Sequence, residues 1–430
     1  MVQRTRQPVK YPCVEVDLDR LSNLPSHIID RILSSLSIRD AVRTSVLSSK
    51  WRYKWATLPH IIFDKDCCPS SSEEQSIFKG KLVNIIDHVL LLHCGTIQKF
   101  KLSHKDLQAV PDIDRWVLYI SRSPVKEFIL EIWKGQRYQI PSCLYSSKHI
   151  IHLELFNCLL NLPLSFNGFQ HLKCLDLQHI TLAQDAFEIL IAKCPLLERL
   201  TLMNFEGFSH LKIRAPNLQF FDIGGIFQDV TFENTRLLSI ISIGLYLNVP
   251  AELSMIQKGT SNLSKFFTHL PRIQRLEVQS YFLKYLAVGN VPVKLPVACL
   301  CLNYLSMRIN FNDLTEMKAA CCLFRSSPNL FELEMLARPE EESIVNMSPS
   351  FWAGYNDSEC LFDNVRVVRV VDISGAKSEL DFMKFLLTKS PKLEKLTVKP
   401  ASADGGMDFL KELVRFRRAS VLAEVIYVDP

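Results

Sequence analysis

The sequence lacks any apolar run that could cross a bilayer. Its longest candidate, Leu82 to Leu92, is interrupted by Asn84, Asp87 and His88, whereas a span needs roughly 18–20 consecutive apolar residues. The amino-terminal residues Met1-Val2-Gln3-Arg4-Thr5-Arg6-Gln7 have no apolar core behind them of the kind a secretory leader carries. Glycine is scarce, at 14 of 430 residues. Neither a Gly-x-Gly-x-x-Gly turn nor a Gly-Lys-Ser/Thr phosphate loop occurs, and there is no Gly-x-Ser-x-Gly elbow and no His-Glu-x-x-His. An excess of one charge is missing too. Fifty basic against 45 acidic residues leave a net charge of +5, too small a surplus to argue for a nucleic-acid partner. The 13 cysteines contain no pair with a two-residue gap. The closest are Cys67-Cys68, Cys299/Cys301 and Cys321-Cys322, so zinc is not expected and buried thiols in a reducing compartment are. Asn262-Leu263-Ser264 and Asn346-Met347-Ser348 match the glycosylation pattern, which a cytosolic chain does not use. Eleven histidines are dispersed without a visible nucleophile or metal partner. The expectation is a soluble intracellular, cytoplasmic or nuclear, non-enzymatic protein, with no cofactor, metal, membrane or nucleic acid.

What the sequence does contain begins near residue 19. Leu24-Pro25 opens an apolar-rich run in which Ile28, Ile29, Ile32, Leu33 and Leu36 recur at helical spacing. Ser37 is placed to cap a second helix, with Asp40 three residues on, and Ala41, Val42 and Val46 give that helix an apolar side. Ser48 or Ser49 is placed to cap a third, with Trp51 and Trp55 four apart on one face. Three helices of this size cannot bury so many large side chains among themselves. Each fully buried Ile or Leu is worth roughly 1.5–3 kcal/mol, so a partner is implied, either the rest of the chain or another protein. Leu58 to Asp64 reads as a first strand, Asp66 to Ser76 as a loop, and Ile77 to Leu92 as a helix.

From residue 97 onward a repeat dominates. An apolar residue is followed by a second three positions later and a third two positions after that. The units are Ile97/Phe100/Leu102, Val125/Phe128/Leu130, Ile150/Leu153/Leu155, Leu172/Leu175/Leu177, Leu197/Leu200/Leu202 and Leu218/Phe221/Ile223. They continue as Leu238/Ile241/Ile243, Ile273/Leu276/Val278, Leu302/Leu305/Met307, Leu330/Leu333/Met335, Val365/Val368/Val370 and Leu393/Leu396/Val398. Their mean spacing of about 27 residues lies in the range of leucine-rich repeats. Such a solenoid lays each short strand beside the last, points the marked residues inward and packs return segments behind them. Helical returns are expected over Asp112–Ser121 and Gln184–Lys193. The residues between the apolar ones face solvent on the concave side. They include His152, Glu154, Phe156, Asp176, Arg199, Thr201, Asp222, Arg275, Glu277, Tyr304, Ser306 and Glu334. Mixed signs with interspersed aromatics suit a protein surface better than a phosphate backbone.

The stretch Leu24-Pro25, Ile28, Ile32-Leu33, Leu36, Val46, Ser49-Lys50 and Trp51 resembles an F-box. Glu379 to Leu387 reads as an amphipathic helix between two strands. It and the flanking Ser390-Pro391-Lys392-Leu393 and Arg417-Arg418-Ala419-Ser420 resemble the FBD domain of plant F-box proteins. Nearly the whole chain is thus similar to the plant F-box/FBD/LRR-repeat family. The resemblance implies an α/β chain with a three-helix F-box at 17–64, a linker and first return helix at 65–96, leucine-rich repeats at 97–349, and an FBD domain at 350–430 that continues and caps the solenoid. It implies the substrate-recognition subunit of an SCF-type ubiquitin ligase. Leu24, Pro25, Ile28, Ile29, Ile32, Leu33, Leu36, Val46, Ser49, Lys50 and Trp51 would bind the SKP/ASK adaptor and, through it, cullin and RING subunits. The repeats would bind a protein substrate. The alternative is a leucine-rich-repeat scaffold or ligand-binding protein that recruits no ligase, its N-terminal helices simply covering the first strand.

Overall fold

The computed structural model describes residues 24–67, 75–246, 261–270, 272–338, 351–352, 361–402 and 406–429. Asp19 to Asn23 at the start of the F-box-like stretch, the loop around Cys68 and Pro69, Pro271, the Asn346 sequon and Ser358 to Cys360 lie outside these. The chain divides into two units, residues 1–100 and 101–430, with the division inside the strand Lys99–Gln108.

In the first unit a helix runs Ser26–Ser34 behind Pro25, whose carbonyl accepts from the Ile28 and Ile29 N–H groups at 3.0 and 3.2 Å. Pro25 can offer no N–H to a helix, so it stands at the start, where none is needed. The second helix, Ile38–Arg43, starts as expected from Ser37, whose hydroxyl oxygen accepts from the Asp40 N–H at 3.2 Å. The third helix is not formed. In its place are successive i→i+3 turns and a short 3₁₀ helix, Lys54–Thr57. Ser45 Oγ donates to the Arg52 carbonyl at 2.6 Å and ties the segment into this tighter path. Trp51 and Trp55 are nevertheless buried, 2% and 3% exposed. Leu58, Ile61 and Phe63 follow inward from the strand His60–Phe63, and Phe63 meets Phe100 edge-on at 6.2 Å. The helix Gln75–Leu92 returns the chain, and His93 Nε2 lies 2.9 Å from the Leu58 carbonyl. Cys94 and Gly95 both donate backbone N–H to the Ala56 carbonyl. A Cβ on Gly95 would stand 2.8 Å from the Thr57 backbone, so this close approach requires glycine.

The second unit is built on one long sheet. Its strands in spatial order are Lys99–Gln108, Glu127–Lys134, His152–Phe156, Cys174–Gln178, Arg199–Met203, Phe220–Gly225, Ile240–Leu245, Arg275–Ser280, Tyr304–Ile309, Glu332–Ala337, Val367–Ile373, Lys395–Pro400 and Glu424–Tyr427. Every neighbouring pair from Glu127 onward is parallel. All members of the twelve apolar units are at most 3% exposed. Their middle residues lie directly opposite one another in a single ladder, Phe128–Leu153–Leu175–Leu200–Phe221–Ile241–Leu276–Leu305–Leu333–Val368–Leu396, extended by Val425. Returns are helical at Asp112–Ser121 and Gln184–Ala192, which bury Ile113, Trp116, Val117, Ile120, Phe187, Leu190 and Ile191. Elsewhere they include two small parallel pairs, Tyr138–Gln139 with Cys158–Leu159 and His210–Arg214 with Asp229–Glu233, and further helices such as Leu314–Ser326.

The strands are short because they end in a turn of the wrong hand for a strand. Asn157, His179 and Asn204 follow three successive strands and adopt φ of 58°, 52° and 51°. Asparagine tolerates this left-handed conformation better than most residues. Each still donates its N–H to the next strand, at 2.9, 2.7 and 2.8 Å, so the ladder closes as the chain leaves it. At the C-terminal end the helix Lys377–Lys389 packs Phe382, Leu386 and Leu387 inward. The last strand, Glu424–Tyr427, is only four residues long, which limits the open edge it presents.

Candidate functional site

Two surfaces carry the features singled out in the sequence, one in each unit. In the first, the structure sorts the eleven residues of the F-box-like set. Pro25, Ile32, Leu36, Val46, Ser49 and Lys50 are exposed, Leu24 and Ile28 partly so. Ile29, Leu33 and Trp51 are 1%, 0% and 2% exposed. The expectation that these three face a partner is corrected, because the chain's own packing already takes up their surface. The helix period explains the split. Ile28 and Ile32 lie one position, about 100°, around the helix from Ile29 and Leu33, so one pair turns outward when the other turns in. Val46 is 87% exposed. Leu47 and Tyr53, which the spacing argument passed over, are exposed at 49% and 66%. Five large apolar or aromatic side chains therefore stand in solvent within residues 32–53, a density that marks an interaction surface more than the scattered exposure of any soluble protein.

In the second unit the register arranges the solvent-side residues into rows. One row reads Glu154, Asp176, Thr201, Asp222, Ser242, Glu277, Ser306, Glu334 and then Arg369. Beyond Glu154, carboxylates alternate with hydroxyls strand by strand. Burial lifts the Asp176 carboxyl above its ordinary value; the Gln178 amide, donating at 3.0 Å, opposes this, and Glu154 adds to it. Asp222 is raised likewise, first by burial and also by Glu277, with Ser242 and Arg199 opposing. Glu154 is held low by His152, whose Nε2 is 3.6 Å from its carboxylate. Glu277 pairs with Arg275 at 3.0 Å, and Glu334 accepts from the Tyr304 hydroxyl at 2.6 Å.

Arginines stacked over aromatic rings flank this row on one side, and aromatics alone flank it on the other. Toward the strand starts, the Arg199 guanidinium lies 4.0 Å over the Phe220 ring and that of Arg275 lies 3.5 Å over Tyr304. Toward the strand ends, Trp133 stacks on Phe156 at 4.4 Å and Phe156 meets His179 at 4.9 Å. Not every residue expected in solvent is there. Ser306 and Tyr304 are buried, at 2% and 7%, Tyr304 beneath Arg275. Most of these residues stand out in the sequence, but their alternation emerges only when repeats of unequal length are brought into register. Among the described residues no three His, Cys, Asp or Glu side chains gather where a metal could be held, and no helix is long and apolar enough to cross a membrane.

Comparison with known proteins gives two family matches. Residues 21–62 match the F-box domain, and residues 113–335 match a family described as FBD-associated F-box protein At5g56370, LRR repeats. An F-box/FBD/LRR-repeat protein of Arabidopsis thaliana, At1g13570, is 39% identical over 96% of this chain and 99% of its own. A probable FBD-associated F-box protein of the same plant, At1g32375, is 25% identical over 95% of this chain and 100% of its own. The F-box/FBD/LRR-repeat protein At5g53840, also from Arabidopsis thaliana, is 26% identical over 89% of this chain and 88% of its own.

Proposed function

The chain belongs to the F-box/FBD/LRR-repeat protein family, and from that premise we propose that it is the substrate-recognition subunit of an SCF-type ubiquitin ligase. Its N-terminal helices bind the SKP/ASK adaptor and, through it, the cullin and RING subunits. The repeat array holds a protein target, and the work is done in the cytosol or nucleus. The chain supplies no reacting group. It raises the effective concentration of target lysines near a ubiquitin-charged enzyme brought by the other subunits, a contribution of positioning and not of chemistry.

The observation that carries this reading is the apolar exposure at Ile32, Leu36, Val46 and Leu47. A helical unit serving only to cover its own chain would turn such residues inward, as it does Ile29 and Leu33. The test is co-purification of the full chain with the adaptor, comparing the natural sequence with Pro25→Ala combined with Val46→Asp. Both positions are exposed, so the fold and its melting temperature are expected to stay while adaptor capture falls at least tenfold, the loss expected when a charge enters an apolar contact. Undiminished capture by the double variant overturns the proposal.

A further inference from the structure

We propose that the solvent face of the sheet between Asp176 and Glu334 is the docking surface for an extended polypeptide segment carrying lysine or arginine at every third position. This rests on the reading of the repeat array as the target-binding part and gives the target its chemistry.

Neighbouring strands in a sheet stand about 4.8 Å apart. Asp176, Asp222, Glu277 and Glu334 share one row, and each is separated from the next by a single strand whose residue in that row is Thr201, Ser242 or Ser306. The carboxylates therefore recur every ~9.6 Å. A polypeptide lying across the strands in polyproline II form advances about 3.1 Å per residue, so every third side chain falls every ~9.3 Å. Polyproline II has three residues per turn and puts those side chains on one face. The two periods match.

The fold has no need of this row. Glu154 stands directly opposite Asp176 in the ladder, an arrangement of like charges that weakens a sheet. From Glu154 to Glu334 the row contains no base. The next residue, Arg369, is taken up by Glu332 at 2.6 Å. Arg275 already occupies Glu277, which leaves Asp176, Asp222 and Glu334 as the anchors, held in place by the Gln178, Ser242 and Tyr304 donors. Burial and neighbouring carboxylates both disfavour their charge at Asp176 and Asp222, a cost that an incoming cation removes.

The aromatic side of the row completes the surface. Gly224 and Gly244 lie side by side in the register, and Tyr246 lies across them. Its hydroxyl is 3.8 Å from Met203 Sδ, at a place where a Cβ on Gly224 would stand only 2.1 Å away. Tyr246 is 44% exposed. Rings beside carboxylates suit both the cationic head and the aliphatic stem of lysine or arginine. A nucleic acid, with its own phosphates, would be repelled by the same row.

The test uses the purified full chain and fluorescein-labelled synthetic peptides of about twelve residues. One carries lysine at every third position, one has the same composition with its lysines clustered, and one has glutamate in their place. Fluorescence polarisation is expected to show the spaced peptide binding about tenfold or more tighter than the clustered isomer, no binding of the glutamate peptide, and a loss of about tenfold in the Asp176→Asn, Asp222→Asn, Glu334→Gln triple variant. Equal binding of the two lysine isomers, or an unchanged triple variant, overturns the proposal. The substitutions are isosteric. Should the triple variant fail to fold, the isomer comparison on the unaltered protein decides alone. Adaptor capture is measured in parallel. Its persistence with peptide binding absent refutes only the docking surface, and its loss with peptide binding intact refutes only the ligase reading.

Discussion

Glu379→Ala would loosen the C-terminal end of the array and leave the middle untouched. The Glu379 side chain is buried, 5% exposed. Its carboxylate accepts backbone N–H groups from Ser374, Gly375 and Ala376 at 3.0, 2.8 and 2.9 Å. It thereby closes the turn at Gly375, where φ is 85°, and fixes the start of the helix Lys377–Lys389. Hydrogen bonds to a charged acceptor contribute roughly 1.5–3 kcal/mol each to stability, so three independent ones would set an upper bound of about 4.5–9 kcal/mol. Against this stands the loss of hydration of a buried carboxylate, several kcal/mol. Burial indeed outweighs the three N–H donors in setting the Glu379 pKa, which is raised. Alanine also returns a few tenths through its helix propensity. A net loss of about 2–4 kcal/mol remains. Glu379→Gln keeps one acceptor but brings an unwanted donor and should fall between.

Global unfolding is a poor assay for this, because units in a solenoid touch only their neighbours and open locally. Hydrogen exchange followed by mass spectrometry on the full chain is the better one. With tenfold per 1.4 kcal/mol, amides in the helix Lys377–Lys389 and the strand Val367–Ile373 should exchange at least ~25-fold faster. Those in strands from His152 to Leu245 should not change. An acceleration below about threefold, or one spread evenly along the array, would show that this carboxylate does not hold the end of the solenoid.

Two further predictions concern the array itself. Burial raises the Glu316 carboxyl to about 7 from an ordinary value near 4.5, with Arg338 opposing. The folded chain thus keeps a proton that the unfolded chain has released between those two pH values. Stability should therefore fall as pH rises through that window and level off above it. Melting curves from pH 5 to 8 should show this fall for the natural chain and not for Glu316→Gln, and parallel curves would count against it. Asn204 ends a strand at φ 51°. Asn204→Ala should cost about 1 kcal/mol in a chemical melt, since alanine lacks the short polar side chain that lets asparagine tolerate left-handed backbone, while Asn204→Gly should be near neutral. Equal losses in the two variants would mean that the turn's hand is not what stops the strand.

The core of this protein is legible in its sequence because it obeys a period. Leu-x-x-Leu-x-Leu units locate the strands, and their middle residues give the register that the structure shows from Phe128 to Leu396. Three features were not fully legible. The segment Ser48 to Trp55 has helical spacing of its two tryptophans, yet i→i+3 turns satisfy the backbone and bury both rings without an α-helix. The left-handed residues Asn157, His179 and Asn204 are announced only in part, because asparagine is common elsewhere and His179 breaks the pattern. The inward and outward faces of the first helix differ by one position, and periodicity cannot say which of Ile28/Ile32 or Ile29/Leu33 the chain keeps for itself. The acid–hydroxyl alternation was hidden for a different reason. Its members are separated by intervals of unequal length, from Thr201 to Asp222 and from Ser242 to Glu277, and become neighbours only through hydrogen-bonded register.

That separation of signals has a physical consequence. On most strands the residues alternate between a buried face and a more exposed one. Burying the three inward residues of one unit is worth at most ~4.5–9 kcal/mol. A like-charge neighbour on the outward face costs about 0.2–1 kcal/mol. The inward set therefore fixes fold and register with a wide margin, and the outward set can carry an unfavourable arrangement such as Glu154 beside Asp176 without disturbing either. The same margin means that Asp222→Asn or Glu334→Gln should alter what binds the array while leaving its register intact. A substitution at Leu200 or Phe221, both fully buried in the ladder, should instead disturb the register first and binding only as its consequence.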